Sequence, residues 1–466
     1  MKSWFSEPPP PPPPPPGGIL AGLFGSPPPP PPPTIEGGHP YLLAFIAVVL
    51  LAHIWEQYLR WRTKQRLQLK GVPASVQTAL GDLDEAEYAR AQEYSASKNN
   101  FGFFTDAIGL ARTGFDLWFT PFLWNRVTGK AVLALGLSPE HELARMCILQ
   151  LASVPLELAI SMPLSAYRTF VIEAKYGFNK QTVRTWLTDT LKSVGVELVM
   201  SFLMMTPLIL VLRNLGEYAW LYAWGFITVF VLLFNMLHPT VIAPLFNTFK
   251  PLREGEVHDA IFALVSQSGL SCDKVFEVDG SRQSSHSNAY VSGFFGTKRI
   301  VIYDTLLEHL HGKVEDVCAV VAHEIGHSIL HHNYMLLGHV TVQIGLTFFT
   351  YGLCATDSNL VLDFGYDAPC TFLKLQSFFL LYNSALSPLL GPLLSAFTRS
   401  LEFAADRYAF ELGFDLRPAL KIISAKNLGD ANPDPLVSLC HHSHPTLVQR
   451  CEAVEAMFEE QKKKAM

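Results

Sequence analysis

Six stretches of this chain, residues 41–58, 146–166, 193–212, 218–237, 335–355 and 375–397, are apolar for long enough to cross a bilayer. In lipid each must satisfy its own backbone hydrogen bonds, which makes each a helix. A seventh span is expected within 105–137, where Arg126 and Lys130 dilute the apolar signal. Composition agrees: 49% of residues are hydrophobic, only 16% are charged and mean hydropathy is positive, values that suit a polytopic membrane protein. A net charge of −6 offers no basic face, so no nucleic-acid partner is expected. The 7 cysteines include no C-x-x-C pair, which points to reduced thiols rather than a disulfide framework or a thiolate metal site.

Orientation follows from the flanking charges. Only Lys2 precedes the first span, whereas Arg60, Arg62, Lys64, Arg66 and Lys70 follow it. The positive-inside rule places the N-terminus in the lumen and this basic loop in the cytosol. With about seven spans, the loop holding Arg168, Lys175, Lys180 and Arg184 is cytosolic. Asp357, Asp363 and Asp367 then face the lumen and the C-terminus is cytosolic. Several spans carry polar groups: Glu157, Glu197, His238, Gln343, Asn383 and Ser384. Either they are polar glue between helices or they line a water-filled cavity. Pro388 and Pro392 are expected to kink the last span, as suits a cavity wall.

Residues 1–40 are a different material. Proline runs at 8–16 and 27–33 adopt extended polyproline II and cannot pack a core. They read as a disordered low-complexity tether, with SH3- or WW-type domains as the partners such an arm can dock. No cleavable signal peptide is expected before the apolar run that begins at Tyr41.

Residues 323–327 read His-Glu-Ile-Gly-His, within a helix-length apolar run, 317–330. Histidines four apart share one helix face, so His323 and His327 can offer two imidazole nitrogens to one metal. Glu324, one step round the helix, can act on a water as general base without being a ligand. A catalytic zinc needs a third protein ligand, and Glu402 in Ser-Leu-Glu-Phe-Ala-Ala-Asp is the best candidate. Asp406, four residues on, can orient a ligating histidine from behind. Topology supports this set, because the chain crosses the membrane twice between His327 and Glu402 and returns to the same side. His331 reads as a solvent or headgroup contact, while His339 and His53 read as packing residues.

Further blocks accompany these motifs in order: Thr-Phe-Val-Ile-Glu-Ala-Lys-Tyr-Gly-Phe-Asn at 169–179, Ile-Ala-Pro-Leu-Phe at 242–246, and Asp-Gly-Ser-Arg-Gln-Ser-Ser-His-Ser-Asn at 279–288. Ala-Tyr-Val-Ser-Gly-Phe-Phe-Gly follows at 289–296, and Ser-His-Pro at 443–445. Together they resemble the type I CAAX prenyl endopeptidases, integral membrane zinc proteases of the endoplasmic reticulum. The resemblance implies a mainly α, polytopic fold whose helices enclose a chamber, closed on the cytosolic side by a zincin-like α+β metalloprotease domain. It implies one Zn²⁺ per chain and removal of the C-terminal tripeptide from prenylated proteins at the bilayer. It implies that Asn288 and its neighbour His286 grip substrate by strand addition, that His444 steadies the oxyanion, and that Arg450 braces the site. The polyproline arm, Ser328 after the metal motif and the short segment 308–316 depart from the family pattern.

The expected organisation is a proline-rich arm (1–40), N-terminal membrane helices (41–245), a metalloprotease segment (246–334), the last two membrane helices (335–398) and a cytosolic C-terminal segment (399–466). Lys463 and Lys464 fit a di-lysine retrieval signal for the endoplasmic reticulum. Two rival readings remain at this stage: a related membrane protease that cuts unprenylated proteins, and a non-catalytic scaffold with structural zinc. The intact Glu324 speaks against the scaffold, which has no need of that carboxylate.

Overall fold

The computed structural model describes residues 39–466 apart from 70, 82, 83, 273 and 294–297. The polyproline tracts therefore lie outside the described residues, as does part of the block at 289–296.

Among the described residues, six helices are long and apolar enough to cross a membrane: Pro40–Leu67, Glu142–Tyr176, Val183–Asn214, Gly216–Leu245, His332–Cys354 and Thr371–Glu411. They coincide with the six stretches read from the sequence. Their outward faces stay apolar, with Leu51, Val342 and Leu353 each about two-thirds exposed or more, as lipid-facing residues must be. The segment expected at 105–137 is helical as well, but charge keeps it below the apolarity of the other six. Glu85–Phe122 continues through a wide π-turn, Leu123–Thr128, into Gly129–Ala134. Pro121, which has no N–H to donate, lies two residues before that turn begins. Two of the segment's charges meet partners on neighbouring helices. Asp106 pairs with Arg60 of the first span, and Arg112 lies 3.3 Å from Glu157.

The membrane helices wall a cavity of about 1020 Å³, lined by residues that include Glu56, Asp116, Gln376, Asn383, Ser384 and His441. A smaller one of about 440 Å³ is lined in part by Arg112, Glu157 and Glu197. Four of the polar residues singled out in the spans thus face internal space, which favours the cavity reading for Glu157, Glu197, Asn383 and Ser384. Pro388 and Pro392 line the large cavity but do not break Thr371–Glu411, which runs through them.

The remaining chain folds as an α+β layer. Strands β1 (Phe249–Pro251), β2 (Lys274–Val278), β3 (Ala289–Ser292) and β4 (Arg299–Tyr303) form one sheet in the order β1-β2-β4-β3. β2 and β4 are parallel, and the outer pairs are antiparallel. β3 is therefore an edge strand, with one side free among the described residues. Helix Val314–Ile329 packs beneath this sheet. Val317, Val321 and Ile325 repeat at helical spacing and are fully buried with Ile300 and Ile302. Each contributes about 1.5–3 kcal/mol of burial, enough to fix the face that the helix turns away from the sheet.

Candidate metal centre

Helix Val314–Ile329 begins with Glu315 and Asp316 in its first turn, where acidic groups complement the helix dipole. His323 and His327 lie on the side facing Thr371–Glu411, the long helix that carries Glu402 and Asp406. The helices approach closely at Gly326, where a Cβ would meet Tyr408 Cδ1 at 3.1 Å and the Ala405 backbone Cα at 3.3 Å. Glycine between the histidines thus lets the ligand-bearing backbones come together.

The donor atoms converge. His323 Nε2 and His327 Nε2 are 3.1 Å apart, and Glu402 oxygens lie 3.5 and 3.3 Å from them. One donor from each of the three lies within 4.8 Å of the others. Two nitrogens bound to one tetrahedral ion, each about 2.0–2.1 Å from it, stand about 3.3 Å apart, close to the observed spacing. Glu402 Oε2 is buried and accepts no well-directed hydrogen bond, although His444 Nδ1 stands 2.8 Å away. A buried, unsatisfied carboxylate lone pair beside two imidazoles is a cation site by its chemistry.

Each histidine is held from behind. His323 Nδ1 lies 2.8 Å from Asp406 Oδ1, and Asp406 Oδ2 accepts from Arg450 Nε at 2.9 Å. Asp406 is fully buried, and its guanidinium partner nearly so. Burial opposes charge on His323, but the Asp406 and Glu402 carboxylates prevail and push its pKa up to about 9. Arg450 shows the same balance, its guanidinium held charged by Asp406 against burial. His327 Nδ1 is 2.8 Å from Nδ1 of His332, which is buried. This contact was not foreseen. The chain leaves the metal helix through His331, whose left-handed φ of 59° swings His332 back toward His327.

Glu324 is half-buried beside the histidines, and desolvation raises its carboxyl pKa even though both imidazoles pull it down. A carboxylate pushed toward neutrality is suited to taking up and returning a proton. Asn288, exposed, sits at the entrance to β3 and spends its Oδ1 on the Ala289 N–H at 2.9 Å. His286 is not beside the metal residues; it stacks on Phe178 and faces Glu173 at 3.7 Å. The geometry therefore brings His323, Glu324, His327, Glu402, Asp406, His444 and Arg450 together, with Asn288 and His286 along the adjoining edge-strand segment.

Residues 63–248 match the family model described as CAAX prenyl protease N-terminal, five membrane helices, and residues 251–458 match that of peptidase family M48. Among similar proteins, a CAAX prenyl protease 1 homolog of Arabidopsis thaliana is 33% identical over 89% of this chain and 98% of its own length. One from Oryza sativa subsp. japonica is 35% identical over 89% and 97% of the two chains. CAAX prenyl protease 1 of Saccharomyces cerevisiae is 32% identical over 91% and 97%. The crystal structure of S. mikatae Ste24p superposes with a TM-score of 0.81 at 30% identity, covering 91% of this chain and 99% of that one.

Proposed function

Because the chain belongs to the M48 family of CAAX prenyl proteases, we propose that it is a zinc metalloendopeptidase removing the C-terminal tripeptide from prenylated proteins. The observation that carries this reading is the convergence of His323, His327 and Glu402 next to Glu324, whose carboxyl pKa is raised by desolvation. In this reading His323 and His327, through Nε2, and Glu402 hold Zn²⁺, which when bound supplies Lewis acidity at the scissile carbonyl. Asp406 and Arg450 orient His323. Glu324 takes a proton from the attacking water and returns it to the leaving amine. His444, beside Glu402, is placed to donate to the developing oxyanion. The free side of β3, entered at Asn288, receives the peptide as an added strand, and the intramembrane cavity takes the prenyl chain.

The same reading puts the protein in the endoplasmic reticulum membrane with the metal centre on the cytosolic side. Arg60, Arg62, Lys64 and Arg66 at the end of the first span support that orientation.

The test uses the purified full chain in detergent with a farnesylated Cys-a-a-X peptide and its unmodified counterpart. We expect cleavage of the farnesylated peptide only, lost on chelation and restored by zinc. Glu324→Gln should retain the metal and lose turnover by at least ~10²-fold. Equal turnover in that variant, or equal cleavage of both peptides, would overturn the assignment.

A further inference from the structure

The segment leading into β3 ends in a cluster of charged groups that the proposed chemistry does not use. Arg168 and Glu173 stand at the two ends of a π-helical turn, Arg168–Glu173, with Arg168 Nε 3.9 Å from Glu173 Oε1. Glu173 is already engaged: Tyr94 Oη lies 3.0 and 2.9 Å from its oxygens, and His286 Nε2 is 3.7 Å away. Lys98 sits over the Tyr94 ring, its Nζ 3.9 Å from the centroid, and makes no ion pair among the described residues. Asp430 also faces Lys98, but it is occupied by Gln92 Nε2 and the Asn432 N–H. Lys98 is solvent-accessible, and so is the Arg168 side chain at 67%. Lys98 thus makes no direct ion pair among these residues, and it and Arg168 share a Glu173 carboxylate that Tyr94 already engages, which leaves two accessible cations able to take a further anion.

Its position identifies the anion. A peptide added to the free side of β3 in the stabler antiparallel sense runs opposite to Ala289–Ser292. Its C-terminus then points back past Asn288 toward His286. Bridging between Asn179 and Ser284, and the Ser285 N–H to Phe178 carbonyl bond of 3.1 Å, bind the Glu173-bearing segment to that same end. A tripeptide beyond the scissile bond extends roughly 10 Å at strand spacing and ends in a carboxylate. From these observations, and resting on the activity proposed above, we infer that Lys98, supported by Arg168, binds the terminal carboxylate of the substrate. Glu173 and Tyr94 hold the cations apart and ready. The subsite lets the enzyme recognise the end of a chain and not merely an extended segment.

Farnesylated peptides identical except for a free C-terminal acid or an amide test this in the purified full chain. The wild type is expected to prefer the acid in kcat/KM on the order of tenfold or more, the worth of one charge-assisted contact. Lys98→Met should pull that ratio toward one by raising KM for the acid, and Lys98→Arg should restore most of it. Equal cleavage of acid and amide by the wild type, or a Lys98→Met variant that slows both without changing their ratio, overturns the proposal. Titrating the released tripeptide as acid and as amide by calorimetry reads the subsite without turnover. Tighter binding of the acid, lost in Lys98→Met, supports the carboxylate subsite even if no peptide is cleaved, whereas equal binding overturns it. Absence of cleavage alone counts against the proposed activity.

Discussion

Replacing Asp406 by asparagine preserves shape and removes one charge from a buried triad, so its consequences can be worked out. Asp406 has no exposed surface, accepts from Arg450 Nε at 2.9 Å and lies 2.8 Å from His323 Nδ1. Asp406→Asn leaves the Arg450 guanidinium buried without its carboxylate, and breaking a buried pair from one side costs about 3–5 kcal/mol. It also releases His323 from the group that sets its ring and tautomer, which for such outer partners lowers metal affinity about 10–100-fold. The double variant Asp406→Asn/Arg450→Gln separates the two effects. With both charges gone, most of the stability should return, while metal affinity stays low because His323 still lacks its carboxylate. Thermal unfolding in detergent reads the first quantity and chelator competition the second. Wild-type metal affinity in either variant would refute the claim that Asp406 acts on the metal through His323.

Other expectations follow from the same geometry. Gly326→Ala should separate the ligand-bearing helices by a few tenths of an ångström, because its Cβ meets the Ala405 backbone at 3.3 Å. The check is metal retention through dialysis, which should fall even where the fold survives. His332→Phe keeps a ring in place but removes the partner at 2.8 Å from His327 Nδ1, and should weaken chelator-resistant metal binding about tenfold. His323, whose pKa the Asp406 and Glu402 carboxylates push up to about 9, must lose its proton to serve as a ligand. Metal affinity should therefore fall as pH drops below 9, by about tenfold per unit. Proton release during zinc titration measures this, and uptake without release between pH 7 and 8 would contradict it.

Much of this site was legible in the chain because its chemistry is short-range. The four-residue step between His323 and His327 fixes a shared helix face, and an even number of crossings returns Glu402 to the same side. The same step from Glu402 to Asp406 places a second carboxylate on that helix face, behind His323. What stayed hidden depends on contacts that no local pattern encodes. His332 reaches His327 because a non-glycine residue, His331, takes a left-handed φ of 59°, which no turn motif announces. Arg126 and Lys130 dilute the apolar signal at 105–137, and the local pattern does not reveal that Asp106 and Arg112 find Arg60 and Glu157 on other helices. His286 could be placed near the peptide path by resemblance. Its neighbours Glu173, Tyr94 and Lys98 come from elements far away in sequence, and nothing in their spacing connects them.

Glu402 is borne on a rod 41 residues long whose opposite foot, Thr371, stands on the other face of the membrane-spanning region. Thirty-one residues at 1.5 Å rise put the ligand roughly 46 Å from that foot, so one degree of tilt displaces its carboxylate by about 0.8 Å. Metal coordination tolerates only about ±0.2 Å. A tilt of this rod must therefore be absorbed where it packs on the histidine-bearing helix at Gly326, and that contact keeps the three donors in register.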